Sequence, residues 1–99
     1  MKIRVEGDVE KFIESLEEIT FAKVIRTINL LEKFGYKLGL PHAKKVDKSI
    51  FELRIRGRQE ARIFYAFHKN EIILLHGFVK KSQKIPMREL RFAVKKLKS

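Results

Sequence analysis

Hydrophobic and polar residues alternate strictly from Phe51 to Arg56 within the segment IFELRIR (50–56). Phe51, Leu53 and Ile55 fall on one side of the pattern, and charged residues fall on the other. This period of two predicts a strand with one face in the core. The later segment EIILLHGFV (71–79) is apolar on both faces, which predicts an interior strand covered from both sides.

Two short connections join the strands in this part of the chain. The strand ARIFYAFH (61–68) follows the turn GRQE (57–60), and the dipeptide KN (69–70) leads into the last strand. Parallel strands need crossover connections of about a dozen residues or more. The short turns therefore predict a three-stranded antiparallel meander.

The first half of the chain shows helical spacing instead. After a brief edge strand expected at 2–5, apolar residues predict a helix with Asp8 as its N-cap. A second helix is expected from Thr20, as N-cap, to a stop at Gly35. The segment 35–49 contains two Gly, one Pro and four Lys, a composition that predicts a loop.

A final helix is expected after Pro86, which suits a first helical turn. Its apolar positions have heptad-like spacing, at Met87, Leu90, Val94 and Leu97. Its other side is basic, at Arg88, Arg91, Lys95 and Lys98. These elements predict an α+β fold, a compact single domain over residues 1–99, with the helices packed on one face of an antiparallel sheet.

Composition limits the class of protein. The 99 residues include 44% hydrophobic ones and eight Phe, enough for one core, and no Cys, which excludes disulfides and thiolate metal sites. No apolar run approaches the roughly 18 residues of a membrane span, and the charged N-terminal segment lacks the apolar stretch of a signal peptide. We therefore expect a cytoplasmic protein without membrane partners.

The charge is basic and polarised along the chain. The net charge is +11; residues 1–20 carry three basic and six acidic side chains, so the remainder carries 20 basic and six acidic ones, a net of +14. Such an excess favours polyanionic partners, since each neutralised phosphate releases counterions. A thermostable charged surface is the alternative, but it predicts a balance of signs that is absent here.

Basic residues cluster at one edge of the predicted meander, because the third strand ends beside the end of the first and the start of the second. The cluster consists of Arg54, Arg56, Arg62, Lys80 and Lys81. Cations held close together destabilise a surface unless an anion joins them, and the planar guanidinium suits phosphate oxygens. The sequence therefore predicts a phosphate-backbone site; independent, solvated strand ends are the alternative.

A cationic cluster of this kind can also support catalysis. RNA is cleaved without a metal when its 2′-OH is aligned with the scissile phosphate, charge is stabilised and protons are moved. A metal site is not expected, since His42, His68 and His76 lie on separate elements. His76 lies in an apolar strand, where a core or edge role is favoured over catalysis, and Tyr65 is expected in the core.

The segments FELRIRGRQEARIFYAF (51–67) and IILLHGFVKKSQKIPMREL (72–90) resemble the RelE/ParE toxin superfamily, most closely its HigB-like, phage-derived branch. That branch shows an ELR strand, an Arg-aromatic strand, a LLHGFxKK strand and a Ser/Thr-x-Lys-x-Pro stretch before a final helix. The order of elements matches over residues 8–98, and the match is specific over 50–90. The joint occurrence of these motifs carries the resemblance.

The resemblance implies the toxin of a type II toxin–antitoxin system, a ribosome-dependent, metal-independent mRNA endonuclease that needs no cofactor. Its partners would be mRNA on the ribosome and a cognate antitoxin with a helix-turn-helix DNA-binding domain. It implies catalytic roles for Arg54, Arg62 and Lys81, and we expect the last two to face solvent. Further phosphate contacts are expected from Arg56, Arg58, Lys80, Lys84 and Arg88. His76 is a candidate for proton transfer.

Two positions depart from the nuclease members of the family. Met87 stands where some members have a catalytic tyrosine, and Glu52 stands where some have a lysine. The N-terminal strand is also short for the family. Two alternatives therefore remain: a ParE-like toxin that acts on DNA gyrase without nuclease activity, and a non-catalytic basic RNA-binding module.

Overall fold

The computed structural model describes residues 1–84 and 86–99. Ile85, which belongs to the SQKIP motif, lies outside the described residues. The strands are β1 (Lys2–Val5), β2 (Ala43–Lys45), β3 (Phe51–Ile55), β4 (Ala61–His68) and β5 (Glu71–Val79). The helices are α1 (Gly7–Glu14), α2 (Glu18–Phe34) and α3 (Met87–Lys98), and a 3-10 turn follows α2 at Gly35–Lys37.

The strands form one mixed sheet in the order β1-β5-β4-β3-β2. The predicted meander of β3, β4 and β5 is confirmed, and so is the N-terminal edge strand, which pairs in parallel with β5. The segment 35–49 is not wholly a loop, because β2 pairs antiparallel with β3, with Ala43 opposite Leu53. Only three residues long and mostly charged, β2 has no apolar alternation that could have predicted it.

Helices cover both faces of the sheet, so the expectation of helices on one face is wrong. Val9 of α1 and Val24 of α2 pack with Leu53 in one buried cluster. Leu90 of α3 packs with Phe64 in a second cluster on the opposite face. The reason lies in β4 and β5, which are apolar on both faces and need cover on both.

A β-bulge in β5 directs two successive side chains toward α3. Phe64 is opposite His76, whereas Tyr65 is opposite Leu74, so Leu75 is the extra residue of the ladder. Leu75 belongs to the cluster beneath α3, and His76 contacts Glu89 of that helix. A bulge interrupts the period of two, which is why simple alternation does not predict this arrangement.

The helix ends were predicted with mixed success. Both N-caps are wrong: Glu6 and Glu17 occupy those positions, while Asp8 and Thr20 lie inside the first turns. In the first turn, the negative charge of Asp8 still interacts favourably with the positive end of the helix dipole. The end of α2 is confirmed at Gly35, whose φ of 51° lies in the region that glycine tolerates best.

The amphipathic pattern of α3 is confirmed on its basic side, where Arg88, Arg91, Lys95 and Lys98 are exposed. On the apolar side, Leu90 and Ala93 are buried, whereas Met87 is 58% exposed and does not belong to the core. Met87 is the first residue of α3.

Candidate nucleic-acid interface

The site lies on the α3 face of the sheet, where β3 and β5 end and β4 begins. Arg54 of β3 is directly opposite Arg62 of β4, and Arg62 is opposite Phe78 of β5. The backbone N–H of Lys80 donates to the carbonyl of Glu60 at 2.8 Å, which extends the pairing beyond the strand. Arg62 therefore faces Arg54 rather than Arg56.

An open cleft of about 470 Å³ occupies this edge. The residues that line it are Arg54, Arg56, Glu60, Arg62, Lys80, Lys81, Ser82 and Gln83. The structure thus brings together all five basic residues of the predicted cluster. It also adds one acidic residue, Glu60, that the sequence reasoning missed.

Arg62 is the largest fully buried side chain of the described residues, with only 2% of its surface exposed. The expectation that it faces solvent is therefore wrong. Its guanidinium donates to the carbonyl of Ala61 at 2.9 Å, to the carbonyl of Ile55 at 3.3 Å and to the carboxylate of Glu60 at 2.9 Å. A buried charge needs such partners to offset its desolvation.

Glu52 places a second carboxylate beneath the cleft and is also 2% exposed. Its oxygens lie 3.7 Å from Nε of Arg54 and 3.9 Å from Nε of Arg62. Like charges directly opposite in a sheet repel, and Glu52 offsets that repulsion from below. Strand alternation predicted an exposed face here and offered no signal that Glu52 is buried.

These three side chains are not fully hydrogen-bonded. Among the described residues, Oε2 of Glu52, Nε of Arg54 and Nε of Arg62 are buried without a hydrogen-bond partner. Unsatisfied buried polar atoms are costly, and in native proteins they often mark functional sites. The two guanidinium nitrogens belong to residues that line the cleft, where an anionic ligand can approach.

Glu60 joins three elements of the cleft. Its carboxylate accepts from the backbone N–H of Gly57 at 2.9 Å, pairs with Arg62 at 2.9 Å and lies 3.3 Å from Nε of Arg56. The Gly57 N–H, followed by the Arg62 guanidinium, lowers the pKa of the Glu60 carboxyl below its usual 4.5. The cations are therefore held together in part by internal anions.

Positive charge still dominates the site. Arg54, Arg56, Arg62, Lys80 and Lys81 carry five positive charges, and Glu52 and Glu60 carry two negative ones, which leaves a net of +3. Arg56 and Lys81 are exposed to solvent. The arrangement suits the binding of phosphate oxygens by arginine forks and ammonium groups.

Three predicted phosphate contacts lie outside the cleft. Arg58 borders a separate cavity together with Glu17 and Glu18. Lys84 is exposed, and its carbonyl accepts from the hydroxyl of Ser82 at 3.2 Å. Arg88 lies over the ring of Phe92, with the guanidinium carbon 5.8 Å from the ring centre. None of the three is among the residues that line the cleft.

His76 is also outside the cleft, so its predicted part in proton transfer has no support from its position. Its Nε2 lies 2.5 Å from Oε1 of Glu89, and its ring lies 5.4 Å from that of Phe92. The side chain thus connects β5 to α3. Tyr65 lies in the core as expected, and burial raises its pKa to about 12.

A metal site and a membrane-spanning helix are two features that residues 1–84 and 86–99 do not contain. No three His, Cys, Asp or Glu side chains come together there in a way that would hold a metal ion. No helix in the same residues has the length and apolar character needed to span a membrane.

The fold and the site define a small α+β domain with a basic cleft at the end of an antiparallel meander. The chain belongs to the phage-derived Gp49-like protein family (DUF891), whose family model matches residues 11–98. This is a RelE/HigB-like toxin family, so the resemblance in the sequence is confirmed at the level of the family. No curated protein matches the chain.

Proposed function

We propose that this protein is the toxin of a toxin–antitoxin pair and cleaves mRNA on the ribosome without a metal. The observation that carries the proposal is the cleft, in which Arg54, Arg56, Lys80 and Lys81 surround the buried Arg62. Membership of a RelE/HigB-like family supports the toxin role. The partner would be an antitoxin that covers the cleft, and the site of action the cytoplasm, where ribosomes translate.

The cleft residues suit the charge changes of metal-free RNA cleavage. The 2′-oxygen forms a bond to phosphorus, the bond from phosphorus to the 5′-oxygen breaks, and a proton moves from the 2′-OH to the departing oxygen. Arg54 and Arg56 would bind the non-bridging oxygens, and Lys81 would neutralise or protonate the leaving oxygen. Positive groups that are already in place stabilise the transition state at no reorganisation cost.

Arg62 and Glu60 have a positioning role in this proposal. Arg62 lines the cleft, and its terminal guanidinium nitrogens are held by backbone carbonyls and Glu60. The lowered pKa of Glu60 keeps it ionised near neutral pH. Its charge thus continues to orient Arg62, and through the 3.3 Å pair also Arg56.

Expression of the chain without an antitoxin tests the proposal. We expect growth arrest and translation-dependent cuts in cellular mRNA, detected by primer extension. Lys81→Ala should abolish both, because it removes the group proposed to neutralise or protonate the leaving oxygen. The fold should stay intact, since Lys81 is an exposed cleft residue that makes no ion pair among the described residues. Lys11→Ala, which removes the same charge from an exposed position of α1, serves as the control.

Two results would contradict the nuclease. Full toxicity of Lys81→Ala would mean that the phosphate site is misplaced. Arrest without cuts in mRNA would instead favour action on DNA gyrase, which supercoiling assays with the purified enzyme would test directly. A neighbouring reading frame for a helix-turn-helix protein would support the toxin–antitoxin pair.

A non-catalytic RNA-binding module is the second candidate, and one observation favours it. No imidazole or phenol is among the described residues that line the cleft, although such groups are common in general acid–base catalysis. Met87, at the position of the family's tyrosine, is exposed but cannot transfer a proton. This candidate predicts salt-dependent RNA binding without cleavage and without growth arrest.

A further inference from the structure

A second cavity adjoins the cleft at the free edge of β3. It has a volume of about 220 Å³, and Lys23 and Arg26 of α2 line it together with His42. Arg54 and Arg56 border this cavity and the cleft alike. The two concave sites are therefore continuous through these two arginines.

The cavity exists because β2 ends before β3 does. The β2–β3 ladder extends only to the pair Ala43 and Leu53, and the last cross-strand contact is from the N–H of Arg54 to the carbonyl of His42 at 2.8 Å. Beyond that point, α2 borders the exposed end of β3. Nζ of Lys23 donates to the carbonyl of Arg56 at 3.3 Å and fixes the helix to the strand.

The chemistry of the second cavity suits a nucleotide unit. Four basic residues line it, Lys23, Arg26, Arg54 and Arg56, and no acidic residue does so among the described residues. Leu30, Pro41 and Ile55 supply apolar surface between these charges. A nucleotide presents both features, since its phosphate is anionic and its sugar and base have apolar faces.

The neighbouring cavity around Arg58 lacks this character. Glu17 and Glu18 line it beside Arg58 and Lys23, so positive and negative charges are balanced there. It does not include Arg54 or Arg56 and therefore does not continue the cleft. Only the cavity beside Arg26 provides both continuity with the cleft and an uncompensated positive charge among the cavities described.

We infer that the second cavity binds the sugar-phosphate backbone of the RNA strand next to the segment held in the cleft. The strand would cross the edge of β3 over Arg54 and Arg56 and reach Lys23 and Arg26 on α2. This inference rests on the proposed function in so far as the ligand is RNA. It adds a binding site for flanking nucleotides, in which Lys23 and Arg26 of α2 are not among the residues proposed for cleavage.

Binding of uncleavable RNA of two lengths tests the inference. The probes are a 2′-O-methyl dinucleotide, which can occupy the cleft alone, and a 2′-O-methyl decanucleotide, which can extend into the second cavity. Because single strands release roughly 0.7 counterions per phosphate contact, Arg26→Gln should reduce the slope of log K against log salt by about 0.7 for the decanucleotide. The affinity for the decanucleotide divided by the affinity for the dinucleotide should fall about three- to tenfold at low salt.

Matched variants separate contact from overall charge. Lys11→Gln removes the same charge from an exposed position that lines none of the cavities described, and it should preserve the affinity ratio. Arg26→Lys retains the charge and should retain most of the ratio. Arg26 is exposed on α2, so all three proteins should remain folded, which circular dichroism would verify.

The outcomes distinguish this inference from the proposed function. If the wild-type protein binds both probes but Arg26→Gln keeps the affinity ratio and slope, the second cavity does not contact RNA and the inference is wrong. An equal loss in Lys11→Gln and Arg26→Gln would overturn it in favour of a bulk charge effect. If the wild-type protein binds neither probe at low salt, the proposed function fails and this inference fails with it.

Discussion

Arg62 carries its charge inside the protein, and its neighbours explain why this is tolerated. Backbone carbonyls and Glu60 accept from its guanidinium, and Glu52 lies 3.9 Å away on the buried side. An isolated buried charge would be strongly unfavourable. Arg62 is therefore a structural residue of the cleft as well as a candidate ligand for phosphate.

Substitution of Arg62 should consequently destabilise the fold. Removing one partner from a buried ion pair costs up to about 3–5 kcal/mol; here the buried Glu52 would retain only Arg54, at 3.7 Å, as a partner. Urea denaturation of Arg62→Ala should show this loss, whereas Arg56→Ala, at a side chain 64% exposed, should change stability by less than about 0.5 kcal/mol. Equal midpoints for the two variants would contradict the buried role.

Glu60 should make stability depend on pH in the acid range. The pKa of Glu60 is lower in the folded state than its usual 4.5. Its contribution to the free energy of unfolding is therefore complete above the unfolded pKa and is lost as pH falls through the folded pKa. Glu60→Gln should therefore be less stable than wild type at pH 7, and the difference should shrink below about pH 4.5. Urea midpoints measured across this range would check it.

The control for the Glu60→Gln measurement is a carboxylate without ion-pair partners. Glu10→Gln removes an exposed carboxylate of α1 that forms no ion pair among the described residues, so its stability difference should vary less with pH. If the difference in stability between wild type and Glu60→Gln stays constant from neutral to acid pH, the contacts of Glu60 with Gly57 and Arg62 do not stabilise the folded protein.

Helix α1 packs against strand β5 at Gly77, a position where no side chain would fit. A Cβ added to Gly77 would lie 2.3 Å from Cδ2 and 3.0 Å from Cγ of the Phe12 ring. Phe12 itself packs against the buried cluster beneath α1 and α2. The approach of the helix to the sheet thus depends on the missing side chain at Gly77.

Gly77→Ala should therefore destabilise the protein by about 1–3 kcal/mol, the usual cost of overpacking a core. Gly39→Ala is a matched control, since an added Cβ there would have no atom within 4 Å, and it should be near neutral or slightly stabilising. Thermal or urea denaturation of both would measure the difference. Adding Phe12→Leu to Gly77→Ala should recover part of the loss; no recovery would show that the strain lies elsewhere.

For the whole molecule, the uneven charge separates two regions. The first 20 residues are net negative and form β1, α1 and the start of α2, whereas the remainder is strongly positive and contributes every residue of the cleft. An anionic strand is therefore attracted to one side of the protein. Such attraction accelerates association and weakens steeply with salt.

RNA binding should show this dependence quantitatively. Contacts from the five cleft cations predict a slope of log K against log salt of roughly −3.5, at about −0.7 per phosphate. Titration of an uncleavable RNA at several salt concentrations would measure it. Replacing Lys80 and Lys81 by Gln should reduce the slope by roughly 1.4; an unchanged slope would exclude these lysines from the interface.

The elements other than β2, and the residues of the cluster, can be recognised in the sequence alone. Strict alternation in 51–56 and the KN turn predicted the meander, and the meander alone brought Arg54, Arg62 and Lys80 to one edge, because antiparallel geometry follows from short connections. Periodicity is a local property, and it can be recognised along the chain without knowledge of neighbours in space.

Which charges are buried, and which groups neutralise them, follows from contacts that form only when the chain folds. Glu52 and Arg62 are buried in the folded protein, and His76 reaches α3 only through the bulge at Leu75. Likewise, the second cavity arises where β2 ends and α2 passes the edge of β3. Burial is a property of the surroundings, so a charged residue in an alternating strand looks the same in sequence whether it faces water or another layer of the protein.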